Sequence, residues 1–411
     1  MESSESLLNS PEQLESLYRN DRSSFKDQFS SLEVRFPDHP LIQVWRARLR
    51  YEPVKSEWFT KIDLIQIFLS LLVFGALVSY PRWGGLDDAQ SEHFYLRNVG
   101  FIGLGALLFY FVRLIRPGGI LAAAVLGLVF ITVCWINLLP GSEKEVSDTL
   151  ALAGVHLPLV IWALVGLIFG NGKVSQWHHY LRFNGDLLVT SAVLEMAWMV
   201  LSGLTMGLFS LIGFSLEEFY PQYVILPGMT VIPLVAAITI RQFPGFVNQV
   251  SPWIARIFSP IVLLMLTVYM ATMLFSDKNL YTDREILLLF NLMLAGVLAL
   301  ILFSLSSAGG VFLNWILMLL SYVAIVVNLV AFSAIAYRLF EMGVTPNRLA
   351  VFGANLLFLT NLIWMAIRLT GLVAGRKSKD QVLGAMNGFL PAYLAWALFV
   401  VIGFPIVFSF S

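Results

Sequence analysis

Residues 119–139 read GILAAAVLGLVFITVCWINLL, a stretch without a single charged side chain. A helix needs about 20 mainly apolar residues to cross the hydrocarbon core of a bilayer, and this stretch has that length. Similar stretches recur along the chain, in which 58% of the 411 residues are hydrophobic and only 13% are charged. Soluble domains carry roughly 25% charged residues. The sequence therefore predicts an all-α integral membrane protein.

Eleven stretches meet the length and polarity requirement for a membrane span. We expect residues 62–411 to form one polytopic bundle of about eleven transmembrane helices, joined by short loops. The predicted spans are Ile62–Tyr80, Asn98–Ile115, Gly119–Leu139, Leu150–Gly170, Leu187–Phe209, Tyr223–Ile240, Trp253–Phe275, Arg284–Leu305, Val311–Tyr337, Pro346–Leu372 and Gly388–Phe410.

Residues 1–61 differ from the rest of the chain because they are polar, with nine basic and ten acidic residues. Their acidic start, without a following apolar run, is not expected to be a signal peptide. Pro11 is suited to the first position of a helix, and the Phe36–Pro40 segment breaks the helical pattern before a second helix. We predict a small cytosolic helical cap. It either shields loops or docks a protein partner.

The orientation follows from the distribution of Lys and Arg. With a cytosolic N-terminus, 19 basic residues lie on the cytosolic side and 7 on the outer side of the eleven predicted spans. We therefore expect a multipass protein of the cell inner (cytoplasmic) membrane with its N-terminus in the cytosol and its C-terminus outside. This assignment depends on the number eleven.

Composition excludes several function classes. The formal net charge is zero, so nucleic-acid binding has no electrostatic basis. Cys134 is the single cysteine, which excludes an internal disulfide framework and a thiolate metal cage. We find no catalytic or metal-binding motif, and hence predict no enzyme activity, no cofactor and no metal site. A membrane enzyme acting on lipid is the weakest hypothesis.

Glu195 is the clearest charge inside a predicted span, about 12 Å beyond Leu187 along a helix. Such charges are costly in lipid. Helical periodicity puts it on one polar stripe that also contains Ser191, Ser202 and Thr205. The stripe predicts either a substrate or ion path through the membrane or a hydrogen-bonded brace within the bundle.

Small and amide residues in the spans favour close packing. The Gly203-x-x-x-Gly207 pattern is typical of helices in close contact. Asn328, Asn355 and Asn361 are expected to form hydrogen bonds between helices.

The loop between the ninth and tenth spans reads YRLFEMGVTPNR, residues 337–348. Gly343 can end the first helix in the left-handed conformation, and Thr345 can cap the second. Glu341 is three residues from Arg338 and can reach Arg348 across the turn. The pattern predicts either a rigid, charge-clamped hairpin or a gate whose arginines contact an anionic ligand or headgroup.

Arg338, Gly343, Thr345 and Arg348 resemble the R-x-x-x-Y-G-x-T-x-x-R signature of an uncharacterised family of bacterial multipass membrane proteins, catalogued as domain of unknown function 4153. The chain departs from it at Met342, where the family usually has Tyr. The resemblance implies a polytopic inner-membrane protein, sometimes described as permease-like, without an established substrate or cofactor.

Two hypotheses follow for the function. In the first, the protein is a permease-like secondary transporter of a small molecule or ion, with Glu195 as a coupling site. In the second, it is a scaffold or signalling partner that docks another protein through its N-terminal cap.

Overall fold

The computed structural model describes residues 11–20, 22–50, 59–140, 146–211, 216–242, 259–264, 266–268, 271, 284–306 and 310–410. The chain divides into two compact units, Met1–Trp58 and Phe59–Ser411. Each unit is described by itself.

The first unit contains three short helices, α1 (Pro11–Asn20), α2 (Arg22–Arg35) and α3 (Pro40–Arg50). The helix start at Pro11 and the break before Pro40 are as predicted, but two helices, α1 and α2, replace the one helix expected before the break. The helices have a small apolar core that includes Phe25, Ile42 and Trp45. Ion pairs from Arg46 to Glu33 and from Arg48 to Glu15 join α3 to the other two helices.

The second unit is helical throughout its described residues. Its helices are α4 (Lys61–Trp83), α5 (Asp88–Ile115), α6 (Gly119–Leu138), α7 (Asp148–Phe169), α8 (Trp177–Leu211), α9 (Leu226–Gln242), α10 (Ser259–Val268), α11 (Arg284–Ser306), α12 (Val311–Glu341), α13 (Pro346–Val373), α14 (Lys379–Leu398) and α15 (Phe404–Val407). A 3₁₀ turn, Val174–Gln176, precedes α8. The π-helical turns Pro221–Ile225 and Phe399–Gly403 precede α9 and α15.

Within the described ranges, nine helical stretches are long and apolar enough to cross a membrane. They correspond to predicted spans one to six and nine to eleven, so the protein is a polytopic membrane protein. The predicted eighth span coincides with α11, whereas the predicted seventh lies partly outside the described residues. The number eleven therefore stays a prediction.

Contacts between distant residues show which ends of the spans lie together. Phe111, near the end of α5, contacts Phe169, the last residue of α7, with ring centroids 5.2 Å apart. Asn387 in α14 donates to the carbonyl of Ser175, just before α8, over 3.1 Å. The ends of α5, α7 and α9 and the starts of α4, α8 and α14 thus share one side of the bundle. We call this side the Asp63 end and the opposite side the far end.

Two large apolar clusters form the core of the second unit. The first surrounds α7, in which twelve residues are buried, and includes side chains of α4, α5 and α9. The second surrounds α12 and α13. In contrast, α8 lies at the periphery, with Leu188, Met196 and Leu204 more than half exposed. In a bilayer these exposed apolar side chains contact lipid.

Candidate functional site

A buried ion cluster joins three spans at the Asp63 end. The Asp63 side chain in α4 is completely buried, and its two oxygens accept hydrogen bonds from two arginines. Arg113 Nη2 of α5 lies 2.6 Å from Oδ1, and Arg241 Nη2 of α9 lies 2.5 Å from Oδ2. We call Asp63, Arg113 and Arg241 the ion cluster. It connects residues separated by 50 and 178 positions in the chain.

Helix capping and the helix dipole explain why the three side chains of the ion cluster lie at the ends of their helices. Thr60 caps α4, and Asp63 accepts hydrogen bonds from both the Thr60 hydroxyl and its backbone N–H in a capping box. Both arginines lie in the last turn of their helices, where a positive charge interacts favourably with the helix dipole. The helix ends therefore hold the arginines and the carboxylate at the same depth.

The cluster has one more positive charge than negative charge. Each arginine side chain is 31% exposed, so both are accessible from the Asp63 end. Tyr110 in α5 lies beside both guanidinium groups, with its ring centroid 5.5 Å from Arg113 Cζ and 5.8 Å from Arg241 Cζ. Arg113 Nε is buried and has no hydrogen-bond acceptor within the described part of the chain.

The same helices pack closely near the centre of the bundle. A side chain at Gly105 of α5 would overlap the ring of Phe74 in α4. A Cβ at Gly75 would lie 3.0 Å from Cβ of Pro227 in α9. Gly75 follows Asp63 by twelve residues, or about 18 Å along a helix. This packed layer lies between the ion cluster and the far half of the bundle.

The helices α4, α8 and α9 enclose a groove that borders this packed layer, since Gly75 and Pro227 line it. It consists of two adjoining cavities of about 380 Å³ and about 430 Å³ that share Leu71, Trp198 and Gly228. The further lining residues are apolar except for Ser79 and Tyr223, and they are Gly75, Ala76, Trp83, Leu194, Ala197, Leu201, Val224, Pro227, Val231, Ile232 and Val235. The groove is open at the surface of the bundle, since its lining residues Trp83 and Leu201 are more than half exposed.

Trp198 forms the wall between the two cavities. Its indole N–H donates to the carbonyl oxygen of Ile225 over 3.2 Å, and its ring occupies the space that a side chain at Gly228 would fill. Ile225 ends the π-helical turn before α9, and Ser79 of α4 donates to the carbonyl oxygen of Gln222 in the same turn. π-Helical turns are frequent at functional sites.

The predicted polar stripe of α8 lies beside this groove. Ser191 and Ser202 are buried, and their hydroxyl groups have no hydrogen-bond partner within the described ranges. Thr205 donates to the carbonyl of Leu201. Glu195 is half-buried and lies between Leu194 and Ala197, which both line the groove. The stripe is thus next to the groove, although Glu195 itself is not a lining residue.

The hairpin between α12 and α13 has the predicted caps. Gly343 adopts the left-handed conformation with φ +84°, and Thr345 Oγ1 accepts the backbone N–H of Arg348. The predicted charge clamp is wrong for the described residues, because no ion pair joins Glu341 to either arginine. Arg348 instead donates to the carbonyl oxygens of Met342 and Gly343 over 2.5 and 2.9 Å. Backbone carbonyls thus accept hydrogen bonds from Arg348 in place of a carboxylate.

The hairpin lies at the far end, so the structure does not bring it together with the ion cluster. Arg338 is half-buried, and its Nε has no acceptor within the described part. Phe340 and Val344 are more than half exposed on the same turn.

Two of the three predicted amides, Asn355 and Asn361, form hydrogen bonds between helices of the second cluster, whereas the prediction is wrong for Asn328 within the described residues. Asn355 Nδ2 donates to Asn291 Oδ1 over 2.7 Å, and Asn361 Nδ2 donates to the Tyr393 hydroxyl over 2.9 Å. Asn328 is completely buried, and neither of its amide atoms has a partner in the described part of the chain. Elsewhere in the described ranges, no three His, Cys, Asp or Glu side chains lie close enough to hold a metal ion.

Sequence reasoning missed Asp63, the centre of the ion cluster. The sequence does contain an indication of the cluster. One carboxylate lies at the predicted cytosolic start of span one, and arginines lie at the cytosolic ends of spans two and six. Both arginines were counted only as evidence for orientation.

No protein-family model, curated protein or solved structure matches this chain. The resemblance to domain of unknown function 4153 therefore stays a prediction.

Proposed function

We propose that the protein is a permease-like transporter of the cytoplasmic membrane, not an enzyme, with its N-terminus in the cytosol and its C-terminus outside. The observation that carries the proposal is the buried ion cluster. A carboxylate and two arginines join three spans at one end of the bundle, and two of these spans, α4 and α9, also line the groove.

In this proposal the ion cluster is the cytosolic gate in its closed state. Asp63 holds α4 against α5 and α9 on the cytosolic side of the groove. Breaking two charge-assisted hydrogen bonds would release α4 from both neighbours. The groove is then the substrate path, and Glu195 beside it is the coupling site for an ion or proton.

The test is whether water reaches the groove. In a variant with Cys134→Ala, single cysteines replace Ala197, which lines the groove, or Met196, which is 65% exposed and does not line it. The two positions differ by one residue in depth. We expect an impermeant thiol reagent added from outside to label the cysteine at 197 at least about tenfold faster than the cysteine at 196, because water replaces lipid in a transport path.

Cysteines at Ser91 and Ser378 serve as sidedness controls, since they are expected outside and inside, respectively. Equal and negligible labelling at 197 and 196, with both controls labelled, would contradict a water-accessible path.

A second candidate function, the scaffold, is favoured by a groove of about 800 Å³ on the N-terminal unit. Val44 lines this groove and is 65% exposed, flanked by Trp45 and by the Arg48–Glu15 ion pair. A photo-crosslinking amino acid at Val44 should then give one discrete adduct in cells. The matched control is Val34, which is 83% exposed and does not line the groove. The same adducts from both positions would contradict specific docking.

A further inference from the structure

The arginine pair of the ion cluster carries a positive charge that Asp63 does not neutralise. We propose that Arg113 and Arg241 bind a phosphate group, either the phosphodiester of an anionic phospholipid headgroup or free inorganic phosphate, and that this phosphate competes with Asp63. The inference rests on the proposed function, because it assigns a regulatory ligand to the proposed gate.

The available hydrogen-bond donors favour phosphate. A guanidinium has five N–H donors in a fork that matches two oxygens of a phosphate group. In the cluster, each guanidinium donates to Asp63 through Nη2. Arg113 Nε is buried without an acceptor in the described part of the chain. A phosphate that displaces Asp63 from Arg113 would supply both this missing acceptor and the missing negative charge.

The position of the cluster also favours a headgroup. Both arginines lie in the last turn of a spanning helix, and the proposed orientation places these helix ends at the cytosolic surface of the membrane. Lys61 and Arg116 are exposed at the same ends of α4 and α5. These helix ends thus carry four basic residues against the one carboxylate of the ion cluster, and groups of basic residues attract anionic lipids at the cytosolic surface.

Asp63 is then an internal competitor for the arginines. Its two oxygens occupy one nitrogen of each guanidinium, so a phosphate that takes these donors weakens the bonds joining α4 to α5 and α9. Bound phosphate would favour the open gate. The competition predicts opposite effects for two substitutions: loss of an arginine weakens phosphate binding, whereas loss of the Asp63 charge strengthens it.

The test uses the full chain in neutral detergent. Native mass spectrometry measures the affinity for phosphatidylglycerol and for phosphatidylcholine, and thermal shift measures stabilisation by inorganic phosphate. We expect tighter binding of phosphatidylglycerol, stabilisation by phosphate, or both. Arg241→Gln should weaken binding about fivefold, and Asp63→Asn should strengthen it by a similar factor.

Arg368→Gln is the matched control, because Arg368 is half-buried against Trp364 near the end of α13 and lies outside the cluster. It should change the affinity less than twofold. Lys61→Gln removes an exposed charge beside the cluster and leaves all three of its members in place, so it tests the inference if Arg241→Gln does not fold. It should weaken binding about two- to fivefold.

The two possible sources are distinguished by the ligands. Stabilisation by inorganic phosphate assigns the site to the free ion, and binding of phosphatidylglycerol alone assigns it to the headgroup. Absence of both responses, or equal effects of Arg241→Gln and Arg368→Gln, would overturn the inference. If phosphate or phosphatidylglycerol binds as expected but the cysteine at 197 is not labelled, only the transport proposal is contradicted. If the cysteine at 197 is labelled but neither ligand binds, only this inference is contradicted.

Discussion

Replacing Asp63 with Asn tests the energetic role of the ion cluster. The carboxylate is completely buried and accepts hydrogen bonds from Arg113, from Arg241 and twice from Thr60. Asn retains one oxygen but turns an N–H donor towards an arginine. Removing one partner of a buried ion pair costs about 3–5 kcal/mol. Because water still reaches both arginines, we reduce this to about 2–3 kcal/mol.

The measurement is the free energy of unfolding in bicelles by steric trapping. Asp380→Asn is the matched control, because Asp380 also lies in the first turn of a spanning helix but is exposed. Its loss should cost about 0.5 kcal/mol, the value of a charge near a helix N-terminus. Equal costs for the two substitutions would refute the conclusion that Asp63 holds three helices together.

Two further predictions concern glycines. Gly228→Ala should destabilise the protein by about 1–3 kcal/mol, because the new methyl group overlaps the rigid ring of Trp198. Gly203→Ala should be neutral or stabilising in the same unfolding measurement, since no atom lies within 4 Å of its added Cβ. Equal losses of stability for Gly228→Ala and Gly203→Ala would contradict the packing described for α8. Gly343→Ala should lower the free energy of unfolding by about 1 kcal/mol, because φ is +84° at this residue. Gly384→Ala is the control without this strain. An unchanged stability of Gly343→Ala would show that the turn does not need a left-handed residue.

Much of the fold could be predicted from local sequence. An uncharged stretch such as residues 119–139 has few alternatives to a spanning helix, and α6 covers it almost completely. The hairpin at Gly343 and Thr345 was also predictable, because left-handed glycines and N-caps act within a few residues. These features need no knowledge of distant contacts.

Distant contacts explain the remaining differences. The Gly203 pattern predicted close packing, but Gly203 is exposed at the periphery. The close approaches occur instead at single glycines such as Gly105 and Gly228, each facing an aromatic ring from another helix. In the same way, Asp63 acquires its role only when α5 and α9 bring two arginines to it. Spacing along one helix contains no information about such partners.

The central claim is that the ion cluster is a cytosolic gate. The most direct test measures from which side of the membrane cysteines are labelled after the cluster is broken. Ser70 lies buried in α4, about 10 Å from Asp63 on the way to the packed layer. We compare single cysteines at Ser70 and Ala197 in right-side-out and inverted vesicles, with Asp63 intact or replaced by Asn.

If the ion cluster is a cytosolic gate, Asp63→Asn makes the cysteine at 70 reactive from the cytosolic side and reduces outside labelling at 197. Asp380→Asn should change neither. Unchanged labelling at both positions in the Asp63→Asn variant would show that the cluster is a static brace, and it would contradict the transport account.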